Sequence, residues 1–385
     1  MNVGASTKYL LALSLVFAGF PSAVAQNLNS DTQSHSNYAA ISASFPFLNI
    51  TPDARAAAMG EAGVARSPDL NNLSINPSAM VFLPSKSGFG ISYNPWLQPV
   101  TKDMSLSYVS AYLNSGQQAF GVSMRYFSVG ESTFRDEHAV LLGIVHPVEY
   151  AFDLSYARKL TPDFSLGATA RYVQSRLGLN EQGTSLQTAG AAVAADVSAY
   201  LVKPGRLFGY DAVLAGGLNL SNIGPGSSKD QFGQLHSLPT NLKLGASAAL
   251  AIDNISRLTL AADLNKSLVS RLRSAGGDMN SMEQHGYMDQ LRGIALSLGL
   301  EYTFKQSVSF RTGYVYADPS KGNRSYLSLG AGIKYQQINF DIAYLPVNLE
   351  KTPMANTLKI GLMFNFGQIE SNHNGPTWPW LKRKV

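Results

Sequence analysis

Six histidines are the side chains best suited to moving a proton near neutral pH: His35, His138, His146, His236, His285 and His373. Hydrolysis would need one of them beside a serine and a carboxylate, and zinc-assisted hydrolysis would need two at helical spacing with an acid between. The chain contains no HExxH, GxSxG, GxxxxGK(S/T) or dinucleotide-binding fingerprint. A Ser/His/acid set can be drawn around His138 or His285, but nothing in the spacing singles either out in a serine-rich chain. Asp278 and Glu283 beside His285 read as a solvated polar cluster, not as metal ligands. Cysteine is absent, which excludes cysteine nucleophiles, thiolate metal sites and disulfides. No catalytic residue, cofactor or metal is therefore expected.

A second set of chemically capable residues sits in apolar surroundings. Arg125, Asp153, Arg171, Lys243, Asp263, Glu301, Arg311, Lys334, Asp341 and Lys359 each lie in a segment that alternates apolar with small or polar residues; six are basic and four acidic. Charges of both signs on one face can hold a second piece of chain by ion pairs, whereas an ion-selective pore more often carries one sign. Arg125, Arg171, Glu301, Arg311 and Asp341 stand as lumen charges on this reading.

The elements that carry them are strands. In 293–304, Leu296, Leu298, Leu300, Tyr302 and Phe304 form one row, and Ala295, Ser297, Gly299, Glu301 and Thr303 the other, which is the period-two pattern of a strand with two unlike faces. The same pattern recurs at 87–94, 103–113, 118–128, 149–159, 163–175, 188–202, 210–221, 240–252, 255–266, 307–317, 325–336, 337–347 and 356–367, fourteen segments in all. Most have the length of a tilted membrane-crossing strand. Short connections such as 114–117, 160–162, Asp253-Asn254 and Lys305-Gln306 take turns with long ones such as 129–148, 176–187, 222–239 and 267–292. A membrane barrel has tight turns on one side and long loops on the other, and a secreted sandwich has no reason to sort its loops this way. The fold expected is all-β: a fourteen-stranded antiparallel transmembrane β-barrel. Leu258, Leu260, Leu264, Phe340, Ile342, Leu358, Ile360 and Leu362 would face lipid. Tyr108, Tyr112, Tyr126, Tyr172, Tyr302, Phe304, Tyr335, Tyr344 and Phe366 would form the interfacial girdles.

Composition agrees. Charged residues are 14%, against about 25% in an average soluble protein, and Gly, Tyr and Phe are abundant. Lys8, the apolar run to Phe20 and Ala23-Val24-Ala25 read as an export signal over 1–25, cleaved after Ala25. The formal charge of +5, which falls to +4 on that cleavage, is too diffuse for nucleic acid. Residues 26–44 read as a flexible polar segment, 45–86 as a plug with short helices, 87–367 as the barrel and 368–385 as a periplasmic tail. Both termini would then lie in the periplasm. In the plug, Asp53 and Arg55 open a helical run that ends near Gly60, and Asn76 with Pro77 begins a second as N-cap and first residue. Among the loops, Trp96, Met279, Met282 and Met288 are candidate apolar contacts for a protein partner.

Several blocks resemble the PorV family of type IX secretion: TPDARAAAMGEAGVARSPDLNNLSINPSAM (51–80), ISYNPWL (91–97), MRYFSVGE (124–131), DLSYARKLTPDFSLG (153–167), AADVSAY (194–200), GLNLSNIG (217–224), PTNLKLGASAAL (239–250) and AADLNKSLV (261–269). The related PorQ branch shares the fold. The resemblance implies an outer-membrane barrel similar to the FadL class. It implies an adaptor that binds the C-terminal signal domain of secreted cargo leaving the translocon barrel. That adaptor shuttles the cargo to a sortase-like complex, which attaches it to lipopolysaccharide. Asn76-Pro77-Ser78 stands where the family form is Asn-Pro-Ala. Two other readings compete: a FadL-like transporter of long-chain fatty acids or other hydrophobic molecules, and a lipopolysaccharide deacylase using His138 or His285.

Overall fold

The computed structural model describes residues 45–95, 103–135, 141–176, 178–179, 186–187, 190–225, 238–268, 293–317, 325–346 and 357–369. Fourteen antiparallel strands close into a barrel: β1 (Ser85–Pro95), β2 (Ser105–Asn114), β3 (Gln118–Ser128), β4 (Val148–Thr161), β5 (Phe164–Arg176), β6 (Gly190–Leu207), β7 (Tyr210–Ile223), β8 (Asn241–Ala251), β9 (Ser256–Ser267), β10 (Ile294–Phe304), β11 (Val308–Tyr316), β12 (Tyr326–Tyr335), β13 (Ile338–Leu345) and β14 (Thr357–Gln368). Each strand pairs with its chain neighbours, and β14 returns to β1 in the register Phe89↔Phe364. Closure leaves no unpaired edge along the wall, which hydrocarbon requires. Two short hairpins, Ser132–Arg135 with Leu141–Val145 and Gly178–Leu179 with Leu186–Gln187, stand outside the barrel ladder.

The pleat sorts the side chains by face. Leu264, Phe340 and Leu358 point outward and are exposed, while Asp263, Asp341 and Lys359, one residue along, are buried inside. An outer wall of exposed Leu, Val, Phe and Tyr around a polar interior places the barrel in the outer membrane. Tyr126, Tyr172, Tyr335, Tyr344 and Phe366 face outward as expected for girdles. Tyr108 and Tyr112 do not: they share the inward parity of Ser110 and are 0% and 3% exposed, so they pack against the interior. Their place near strand ends was the only sequence signal for a girdle, and parity overrides it.

Tight connections follow β2, β4, β6, β8, β10 and β12, and the long ones follow the odd-numbered strands. In the β10–β11 turn, Lys305 and Gln306 both have positive φ and Ser307 N donates to Phe304 O at 3.0 Å, the turn whose twist matches a hairpin. The β6–β7 turn is only Phe208-Gly209, both at positive φ, because β6 continues through Pro204-Gly205 instead of turning there. Asp253 organises the β8–β9 turn by accepting from Ile255 N and Ser256 N, both at 2.7 Å. Those two backbone donors hold its carboxyl below the ordinary carboxylate value.

Residues 45–84 fill the barrel. Phe47 stacks on Phe127 at the end of β3, and Phe45, Phe47 and Leu48 cluster with Leu106, Ala151, Val173 and Leu238, all at the long-loop mouth. At the other end, Asn114 donates to Met80 O and Leu83 O, and Ser165 to Ser78 O, beside the tight turns. The described chain thus enters at the long-loop mouth and leaves at the tight-turn end into β1. The chain's two termini lie outside the described residues.

Candidate functional site

The plug is built from brief, capped turns. Asp53 caps the helix α1 (Ala54–Ala58) by accepting from Arg55 N at 2.9 Å. Gly60, at φ 64, ends that turn where a side chain would strike Tyr314 N and Leu298 O. A 3₁₀ helix follows at Leu70–Ser74, held by a capping box in which Asp69 and Asn72 bond each other's backbone. A further 3₁₀ helix spans Pro77–Phe82 with Pro77 at its start. Asn76 precedes it but does not cap it: its amide donates to Val64 O at 2.7 Å and Ala199 O at 3.1 Å. Asn76 therefore ties three segments together, and proline's preset φ starts the turn without a side-chain cap.

These turns converge on one ion network. The Arg55 guanidinium makes a two-pronged contact with Glu301 (Nε–Oε2 2.8 Å, Nη2–Oε1 2.7 Å), a third with Asp69 (2.9 Å), and two with Ser67 (3.1 and 2.8 Å). All five of its N–H donors are used. Glu301 Oε2 also accepts from Arg311 Nε at 2.7 Å, and Arg311 reaches Asp341 at 2.6 Å. Arg66, fully buried, pairs with Asp69 at 2.9 Å and closely with Asp53. Arg55, Arg66, Asp53 and Asp69 belong to the plug; Glu301, Arg311 and Asp341 belong to β10, β11 and β13. Burial alone would lower the pKa of Arg55 and raise that of Asp69. Glu301 and Asp69 outweigh it for Arg55, which stays well above the ordinary value, while Arg66 and Arg55 outweigh it for Asp69, whose carboxyl is held low. Both groups are charged at any physiological pH, so the network acts as a fixed latch between plug and wall.

A second network lies in the wall. Arg171 on β5 grips Asp153 on β4 (2.6 and 3.1 Å) and Asp196 on β6 (3.1 and 3.3 Å), with Asn222 on β7 in close contact. Arg125 donates to Leu48 O and Ser74 O, both at 3.3 Å, and so clasps the plug from β3. Lys359 on β14 donates to Thr51 O at 2.7 Å.

Of the residues singled out from sequence, Asp53, Arg55, Glu301, Arg311 and Asp341 meet in the latch; Arg171 and Arg125 stand apart from it. Gly60, Asn76 and Pro77 shape the plug. Arg66, Asp69, Asp196 and Asn222 were not singled out. Arg66 and Asp69 lie in an irregular stretch with no periodicity, and only the Asp69-x-x-Asn72 spacing hinted at a cap. Trp96, Met279, Met282, Met288, His138 and His285 lie outside the described residues. His146 is exposed. No cluster of three His, Asp or Glu able to hold a metal occurs among the described residues.

Wall glycines mark where the plug backbone touches. A Cβ on Gly313 would sit 2.0 Å from Gly60 N, and one on Gly217 2.1 Å from Val64 O. The space these inward glycines leave is taken by the plug. A lumen pocket beside Ile50, Arg125, Asn219 and Lys243 has a volume of about 30 Å³ and a mostly polar lining, room for a water but not for a fatty chain.

The family described as "Type IX secretion system protein PorV" matches residues 33–273. No curated protein matches the chain. Among solved structures, the Pseudomonas putida toluene transporter TodX is similar at 10% identity and a TM-score of 0.49, over 81% of this chain and 96% of that one. The Ralstonia pickettii toluene transporter TbuX is similar at 13% and 0.46, over 83% and 99%. A Pseudomonas aeruginosa FadL homologue is similar at 12% and 0.41, over 82% and 99%.

Proposed function

The chain belongs to the PorV family of type IX secretion system proteins, and we propose that within that system it works as an outer-membrane adaptor rather than as a conduit. The observation that carries this reading is the filled lumen: the plug is fixed to the wall by Arg55–Glu301, Arg125–Leu48 and Lys359–Thr51, at three separate strands. A barrel closed in this way offers cargo its outer loops, not its interior. The partner is the C-terminal signal domain of secreted cargo as it leaves the translocon barrel, and the destination is a sortase-like surface complex that attaches the cargo to lipopolysaccharide. The long loops, including 129–147 and 269–292 with Met279, Met282 and Met288, and Trp96 after β1, supply the contacts. Residues 1–25 serve as the export leader, the tight turns face the periplasm, and no catalytic step is assigned to this chain.

The test is co-purification from outer membranes in mild detergent. The intact protein retains cargo carrying its C-terminal domain, and removal of 275–288 abolishes that retention while the barrel stays folded. Equal retention after the deletion removes the loop assignment; no cargo with the intact protein removes the adaptor reading. Transport of hydrophobic molecules through the lumen would require an apolar path, and the pocket beside Arg125 and Lys243 is polar and small.

A further inference from the structure

Below the long-loop mouth, the plug leaves a cavity of about 30 Å³ between its residues 48–52 and strands β3, β7 and β8. Two cations line it, Arg125 on β3 and Lys243 on β8, and no carboxylate does. Arg125 is 2% exposed. Its Nη1 and Nη2 reach Leu48 O and Ser74 O at 3.3 Å each, and its Nε–H has no acceptor among the described residues. Half-buried Lys243 stands opposite Asn219 of β7, whose Oδ1 has no donor among them.

The carboxylates of the neighbouring wall are committed elsewhere. Asp153 and Asp196 both hold Arg171. Asp263, on the strand paired with β8, accepts from Gly63 N at 2.7 Å and Val64 N at 2.9 Å. Neither Arg125 nor Lys243 forms an ion pair among the described residues. Charge taken out of water is costly unless it is paired. A water in the cavity would accept from Nε–H but would leave both cations without a counter-charge. One water needs about 10–15 Å³ of such space, so this cavity admits a monatomic ion and no bulkier anion. The Asn219 amide can serve that ion by presenting Nδ2 where Oδ1 stands, a turn that keeps its shape.

We propose that this cavity is a halide site: one chloride ion accepts from the Arg125 Nε–H, the Lys243 ammonium and the Asn219 amide, and so fastens the plug to the wall at the long-loop end. The site goes beyond the adaptor role and is tested apart from it, because its readout is the plug of the purified barrel, not cargo.

The test compares the full chain in detergent in sodium chloride and in sodium gluconate of the same ionic strength. Chloride at ten times its half-saturating concentration should slow proteolysis at 45–84 about tenfold, because an opened plug releases the ion. Bromide should substitute, and its anomalous signal in crystals of the same chain should place one ion between Arg125 and Lys243. Lys243→Gln should remove both the halide dependence and the bromide signal. Lys334→Gln, at the tight-turn end of β12, should leave both in place. Equal protection in chloride and gluconate overturns the proposal, as does a cavity that holds water and no bromide. So does a halide response that survives in Lys243→Gln. Should that variant fail to fold, the chloride–gluconate comparison and the bromide signal in the unaltered chain decide alone.

Discussion

Glu301 is the residue on which the latch turns, because it answers Arg55 from the plug and Arg311 from the wall at once. Glu301→Ala leaves two buried guanidinium groups facing each other, and breaking a buried pair in this way costs about 3–5 kcal/mol. Chemical unfolding in detergent should report a loss of that size. Arg206 and Asp211 form an exposed pair at 3.4 Å, with side chains 74% and 67% accessible, so Arg206→Ala should change stability by less than about 0.5 kcal/mol. The contrast checks that burial, not pairing alone, sets the strength. Acid should act late. Asp69 has its carboxyl held below the ordinary value of 3.8, so its contribution is fully present above that value and is lost only as pH falls through the lower, folded one. The part of the plug's protease protection that Asp69→Asn removes should therefore be constant from neutral pH down to 3.8 and fall only below it; if that part is already lost at pH 5 to 6, the assignment is contradicted.

At the scale of elements, turns and glycines divide the work between wall and plug. Gln306 occupies the second left-handed position of the β10–β11 turn, where a side chain is strained and glycine is not. Gln306→Gly should stabilise the barrel by about 0.5 kcal/mol in the same unfolding assay. Gly313 has no such latitude, because its Cβ would fall on Gly60 N, backbone against backbone. Gly313→Val should displace the plug and cost about 1–3 kcal/mol, read as faster proteolysis at 45–84 with the barrel intact. The strands were legible in the sequence because a two-faced strand shows its period in every second residue, as Ser297, Gly299 and Glu301 do against Leu296, Leu298 and Leu300. The plug was legible only as short turns, from Asp53 to Gly60 and from Asn76-Pro77 onward. Its partners are far apart in sequence, Arg55 to Glu301 across the whole barrel, and no local pattern encodes which wall charge an irregular segment will meet. Tyr108 and Tyr112 show the same limit: strand-end position suggested a girdle, while their parity with Ser110 put them inside.

At the scale of the whole molecule, the proposed adaptor role makes a closed barrel with a fixed plug and long loops at one mouth a frame for recognition in the outer membrane. Secretion should then not need the lumen to open. The chain contains no cysteine, so a single engineered bridge has no background. Ala54 in α1 and Gly361 on β14 are placed for one: a Cβ on Gly361 lies 3.8 Å from that of Ala54, within the range disulfides adopt. The most direct measurement is cargo secretion by the Ala54→Cys/Gly361→Cys barrel, oxidised in place and compared with the same cells under reductant. The adaptor account predicts equal secretion and equal cargo retention in both states. Secretion lost on oxidation and restored by reduction would contradict it, because the plug would then have to move for the protein to work.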